Sequence, residues 1–376
     1  MKIKLMITIV LMCVLSACQQ NDKLTLSGLD KNLFVSEVDG KETQLVVLKN
    51  NWGMEACITN YGARLVSLMV PDRNGRLDDV VTGFPTIEEY VSQNQNFGST
   101  VGRYIGRISG PSFTIDSITY ELQASKGAKY ISHGGKPGFA QRVWDIESVD
   151  RDAVTLSYLS PDGENGFPGN LHVYLTYRLT DDKELELIYQ ATTDAPTVLN
   201  LSHHSFFNVS GNFRQTVEDQ TMWIDAEQIT PYDEKKNVTG EYANVDNTPF
   251  DFRVPRQIGE QINADNDQLK VTKGYDHTWV LNTQGDDHCI AAWIYDKESG
   301  RKMEVYTTEP GLHVYSANGL KGTLVGKDSI SYQTRTSICF ETMHFQNSPN
   351  IPHFPSTILR PGETFVSRTV FRFKIE

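Results

Sequence analysis

The sequence predicts an all-β protein, a large antiparallel β-sandwich with very little helix. Three observations lead there. Apolar and polar residues alternate over long stretches, turn signals recur roughly every ten residues, and only one segment carries a clear helix signature. In chain order, "VPDRNGRLDDVV" (70–81) reads as two strands joined by a turn at Asp72 to Gly75. "PTIEEYVSQ" is the helix, short, with Thr86 and Glu89 at capping-box spacing. "SFTIDSITYEL" is a hairpin, with Phe113 and Ile115 before its turn and Ile118, Tyr120 and Leu122 after it. "LHVYLTYRL" sets Leu171, Val173, Leu175, Tyr177 and Leu179 on one face. After the turn "TDDKE", Leu185, Leu187 and Tyr189 resume the period of two. "AAWIYDKESGRKMEVYT" is a further hairpin across Glu298 to Arg301.

No internal repeat, low-complexity run or Pro/Gly/Ser-rich linker divides the chain. Its 376 residues therefore read as one large β-body over 31–376 rather than two domains. The N-terminus stands apart. Lys2 and Lys4 precede an apolar run, Leu5 to Leu15, that is short for a membrane span. Leu15-Ser16-Ala17-Cys18 resembles the lipobox of bacterial lipoproteins. That implies a signal peptide over 1–17, lipidation of Cys18, a polar tether over 18–30 and a place in the bacterial cell envelope. Gln19, rather than Asp, after the cysteine favours the outer membrane.

Composition excludes several classes. With 47 acidic and 35 basic residues the net charge is −12, and no basic patch offers itself to a nucleic acid. Without the leader and the lipidated cysteine, Cys57, Cys289 and Cys339 remain. An odd number with no CxxC argues for free thiols. There is no P-loop, HExxH or GxSxG, and the nine histidines stand at no familiar metal-ligand spacing, so neither a metal nor a cofactor is expected.

Chemistry is then left to polar residues set in apolar, Gly-rich strings. These are "VGRYIGRISG", "ISHGGKPGF", "NLSHHSFFN", "KGYDHTWVL", "YTTEPGLHVYSANG" and "ICFETMHFQNSPNIPHFPSTILRPGETF". Glu341 follows "SICF", a buried-strand pattern, where a carboxylate is costly unless paired or used. His203 and His204 are adjacent in an extended run. Their side chains must point to opposite faces, so one pocket can use only one of them.

Read together, these strings resemble the aldose 1-epimerase (galactose mutarotase) family from about residue 33 to the end. "DGENGFPGNL" and "TPFDFR" are further family-like strings. The resemblance implies a mutarotase-like sandwich with a sugar cleft, acting on a free aldohexose as a monomer or weak dimer. It implies interconversion of α and β anomers, with His204 as general acid at the ring oxygen and Glu341 as general base. It implies His133, Arg107 and Asp276 as sugar-binding residues, with Glu309 a further contact. Gly134 and Gly135 would let the backbone approach the ligand.

The chain departs from the family pattern at three places. Gly106 stands where many members have Asn, so one polar contact is missing. His203 stands where Asn is frequent, and Glu309 where Gln is common. An ionised Glu309 near Glu341 would raise the pKa of one of them. Two other readings compete. One is a non-catalytic sugar-binding lipoprotein. The other is a two-carboxylate glycosidase with Glu309 or Asp276 as partner to Glu341. An epimerase for phosphorylated hexoses would call for extra basic residues, and no such cluster occurs in the matched strings.

Overall fold

The computed structural model describes residues 23–93 and 95–376. The expected signal peptide, Cys18 and the first part of the expected tether lie outside the described residues. Strand outweighs helix, 42% to 9%, and every strand pair within the sheets is antiparallel.

The largest sheet has nine strands. Its order is Asp145–Val149, Ala153–Ser160, Leu171–Leu179, Glu184–Thr193, Phe365–Ile375, Arg301–Thr307, Ala292–Tyr295, Thr221–Ile224 and Arg256–Gln257. The last strand of the chain thus sits mid-sheet, between Glu184–Thr193 and Arg301–Thr307. A six-stranded sheet runs Phe206–Phe207, Ile338–Met343, Gly311–Tyr315, Asp276–Leu281, Ala226–Thr230 and Ala243–Asn244. A four-stranded sheet covers Leu45–Lys49 to Leu77–Asp79.

The alternation has its expected use. Leu171, Val173, Leu175, Tyr177 and Leu179 are buried, as are Leu185, Leu187 and Tyr189. They share one apolar core with Leu312, Val314, Ile338 and Phe340 of the six-stranded sheet. Since side chains alternate, residues 313, 339 and 341 must face away from that core. The large and small hairpins form as expected. In the 112–122 hairpin only Leu122 of the second arm is buried, and Ile118, beside the turn, is exposed. The helix Ile87–Gln93 carries its capping pair, with the Glu89 N–H donating to Thr86 Oγ1. A second short helix, Asp267–Thr272, was not legible in its polar sequence; Asn266 caps it.

One boundary moves. Lys23 to Asp30, expected as tether, belong to the body. Leu29 is buried in the core under the four-stranded sheet, and the Leu26 N–H donates to Glu55 Oε1 at 2.6 Å. The apolar side chain of Leu29 outweighs the polar average of the segment.

Candidate active site

The face of the six-stranded sheet turned away from the core forms the floor of a cavity of about 460 Å³, within the usual range for small-molecule sites. Register decides which side chains meet there. Asp276 lies opposite Tyr315 and Thr278 opposite His313. On the next strand His313 lies opposite Glu341 and Tyr315 opposite Cys339. All four of Asp276, His313, Tyr315 and Glu341 line the cavity.

Short strands complete the walls. Ser202–His204 pairs with Ser99–Val101 and turns His204 into the cavity. His203, one residue earlier, points the other way. Its Nε2 meets the Tyr177 hydroxyl at 2.6 Å and its Nδ1 meets Ser205 Oγ at 2.8 Å. That hydroxyl already donates to the Ala63 carbonyl, so His203 Nε2 is the donor to it and Ser205 donates to Nδ1. Both ring nitrogens are satisfied, and His203 is a structural residue.

Arg107 opens another small ladder, Arg107–Ser109 against Tyr130–Ser132, and His133 follows its second strand directly. The Arg107 guanidinium lies between the rings of Tyr130 and Tyr232, 5.3 and 5.4 Å from their centroids. Its Nη2 is 3.9 Å from Asp276 Oδ2. His133, at a positive φ of 53°, accepts weakly at Nδ1 from the Gly106 N–H, 3.4 Å away, which leaves its Nε2 as the donor. Burial, followed by the charge of Arg107, lowers the His133 pKa to about 4 and keeps the ring neutral.

The loop after His133 is braced by the "DGENGFPGNL" string. Asn165 Nδ2 donates to the Gly134 and Pro137 carbonyls, both at 2.8 Å. Arg103 is buried among the carbonyls of Ser160, Pro168 and Gly169. Gly134 and Gly135, expected to let the backbone approach a ligand, do not line the cavity; a Cβ at Gly134 would strike the Gly102 carbonyl and one at Gly135 the Asn165 side chain, so the close approaches are within the protein.

At the centre His204 Nε2 stands 3.4 Å from Glu341 Oε1. The other ring nitrogen faces Cys339 Sγ at 3.5 Å, and the ring stacks on Phe206 with centroids 4.9 Å apart. Burial pushes Glu341 well above the ordinary carboxylate range, helped by the charge of Asp276 and opposed by Arg107. Burial pushes His204 well below the ordinary imidazole range, helped by His133 and His313. Asp276 behaves differently. Burial disfavours its charge, but the hydrogen bond from His313 Nε2 at 3.0 Å and the charges of His313 and Arg107 prevail, and its pKa is lowered.

Five of the six expected site residues, Arg107, His133, His204, Asp276 and Glu341, therefore share one cavity. Glu309 does not line it. Its carboxylate meets His344 Nδ1 at 2.7 Å, and it is not among the charges that act on Glu341. The expected repulsion between the two carboxylates is thus withdrawn. His313 and Gln346 line the cavity without having been singled out in the sequence. The only signal for His313 was its place between Leu312 and Val314 in an alternating run.

An antiparallel sandwich with a polar cleft that holds a buried imidazole–carboxylate pair has the architecture of the mutarotases. The pattern of the aldose 1-epimerase family matches residues 44–372. Galactose mutarotase from Sus scrofa is 38% identical over 318 residues, 85% of this chain and 90% of its own. Aldose 1-epimerase from Escherichia coli is 36% identical over 340 residues, 90% and 97% of the two chains. Among solved structures, an aldose epimerase homologue from C. elegans superposes with a TM-score of 0.82 at 27% identity, covering 89% of this chain and 99% of its own. Galactose 1-epimerase from Lactobacillus acidophilus gives 0.80 at 27% identity, covering 90% and 97%. The chain belongs to the aldose 1-epimerase family.

Proposed function

We propose that the protein is an aldose 1-epimerase that interconverts the α and β anomers of free hexoses of the glucose and galactose type. The observation that carries this reading is the His204–Glu341 pair at 3.4 Å inside a cleft that also holds Arg107, His133 and Asp276.

A cyclic aldose is a hemiacetal. Opening it requires a proton delivered to the ring oxygen and another removed from the anomeric hydroxyl. His204, in its protonated form, gives the first, and ionised Glu341 takes the second. The C1–O5 bond breaks, the carbonyl forms, rotation about C1–C2 exposes its other face, and reclosure returns both protons. The pair ends with the protons it began with, so side chains alone suffice. Burial disfavours both charged forms, so the cleft holds a neutral imidazole beside a protonated carboxyl, and the proton must pass from Glu341 to His204 to give the working pair; in that charged state a lowered imidazole is a stronger acid and a raised carboxylate a stronger base. Arg107 and Asp276 read neighbouring sugar hydroxyls through a planar fork and a carboxylate, and neutral His133 donates from Nε2.

Polarimetry of freshly dissolved α-glucose and α-galactose tests the reading. The protein is expected to speed the approach to anomeric equilibrium well beyond the unaided rate in water; sugar binding without acceleration would favour a binding protein instead. We further propose that Cys18 is lipidated and holds the enzyme to the cell envelope. Incorporation of labelled palmitate that is abolished by Cys18→Ala supports this, and unlabelled wild type excludes it.

A further inference from the structure

The Gly106 position, which leaves a polar contact unfilled by comparison with the family, is not vacant. Gly106 adopts φ +77°, and a Cβ built on it would stand 2.5 Å from Cγ of Gln346. The Gln346 side chain passes through the space that any residue 106 side chain would need. Gln346 is 2% exposed and lines the cavity.

Its carboxamide reaches both sides of the hydroxyl-reading pair. Oε1 accepts from the Arg107 N–H at 3.1 Å. Nε2 donates to the Tyr232 hydroxyl at 2.7 Å, and the Tyr232 ring is one of the two that hold the Arg107 guanidinium. Nε2 also lies 3.4 Å from His313 Nδ1, whose nearer partner is Thr278 Oγ1 at 2.9 Å, while His313 Nε2 meets Asp276 Oδ1 at 3.0 Å. One amide thus ties Arg107 to its aromatic clamp and packs beside the partner of Asp276.

We propose that Gln346 is a positioning residue for sugar recognition. Its amide takes the place of a side chain at 106 and holds Arg107 and its Tyr232 clamp in register, and Gly106 is the residue that makes room for it. This rests on the aldose 1-epimerase reading and adds a determinant of substrate affinity to it. Arg107 and Asp276 lie beside the acid–base pair rather than in it, so misplacing them costs binding more than turnover.

The test uses the full chain, with α-galactose and α-glucose as substrates. Activity of the wild type is measured first; an inactive wild type removes the functional reading, whereas the variants below bear on Gln346 alone. Gln346→Leu keeps the bulk and removes the amide. It is expected to raise KM at least about fivefold while kcat stays within about twofold. Gly106→Asn alone is expected to raise KM through its clash with Gln346. The double variant Gly106→Asn, Gln346→Ala, which vacates the space and returns an amide from the other side, is expected to bind better than Gly106→Asn alone or Gln346→Ala alone, both measured beside it. Thermal melts accompany each variant. If Gly106→Asn does not fold, Gln346→Leu decides alone. A wild-type KM for Gln346→Leu overturns the proposal, as does a double variant in which the two losses simply multiply.

Discussion

Glu341 is pushed up and His204 pushed down by the same cause, removal from water. In the proposed exchange each shift disfavours the charged form and, once that form is reached, makes the group a stronger acid or base. Glu309 sits on the strand-to-strand connection that leads into Gly311–Tyr315, yet its carboxylate is committed to His344. Glu309→Gln is therefore expected to leave the pH–rate profile superimposed on that of the wild type. It should lower stability in a urea titration by about 1–3 kcal/mol, the usual cost of weakening a buried polar contact. A shifted pH optimum would instead place Glu309 in electrical contact with the catalytic pair. At this scale the sequence revealed residues whose chemistry is unusual for their surroundings. A carboxylate after "SICF" was one, and one histidine of an adjacent pair was another. It concealed His313 and Gln346. A strand histidine shows its role only once the cavity face of its sheet is known, and a glutamine in an irregular loop has no periodicity to read. Glu309 was misassigned because its place in a string says nothing of where its side chain points.

At the scale of elements, the site is a set of very short strands and loops, each held by a buried polar side chain. Asn165, itself at a positive φ of 51°, holds the His133 loop through two carbonyls. Asn200 hooks the His204 strand to the residue 344 backbone, with Nδ2 donating to the His344 carbonyl at 2.9 Å and Oδ1 accepting from the His344 N–H at 3.0 Å. Asn165→Ala loses both hydrogen bonds and puts alanine in a left-handed conformation. The expected cost is about 2 kcal/mol of stability, together with a KM raised about tenfold as His133 loosens. A melting curve and a KM equal to those of the wild type would show that the loop holds itself. The hairpins were legible because alternation and turn residues are local. Strand order was not. The placement of Phe365–Ile375 between Glu184–Thr193 and Arg301–Thr307 follows from long-range pairing that no local pattern records.

Across the whole molecule, burial of neutral imidazoles couples folding to pH. His133 is lowered from 6.5 to about 4, His203 and His277 each to about 3, and His204 well below its ordinary value, all by burial first. Between about pH 6.5 and these lowered values the unfolded chain binds protons that the folded chain refuses. The stability these four imidazoles govern therefore falls as pH falls through that window and is fully present above it, and the raised carboxyl of Glu341 opposes it with the reverse sign. The melting temperature is expected to drop steadily from pH 7 to pH 4.5, with net proton uptake on unfolding; a flat profile would mean these rings are charged in the folded protein. The fold class was readable from the density of strand signals. The extent of the body was not: a single buried leucine, Leu29, carries it back to Lys23. The central claim is that one buried imidazole and one buried carboxylate pass the protons of a sugar ring between them. The polarimetric kcat of Glu341→Gln and of His204→Asn, measured beside calorimetric sugar binding, tests it most directly. The account predicts folded proteins that bind galactose and lose about 10²–10⁴-fold in turnover. Turnover near the wild-type rate in either variant would contradict it.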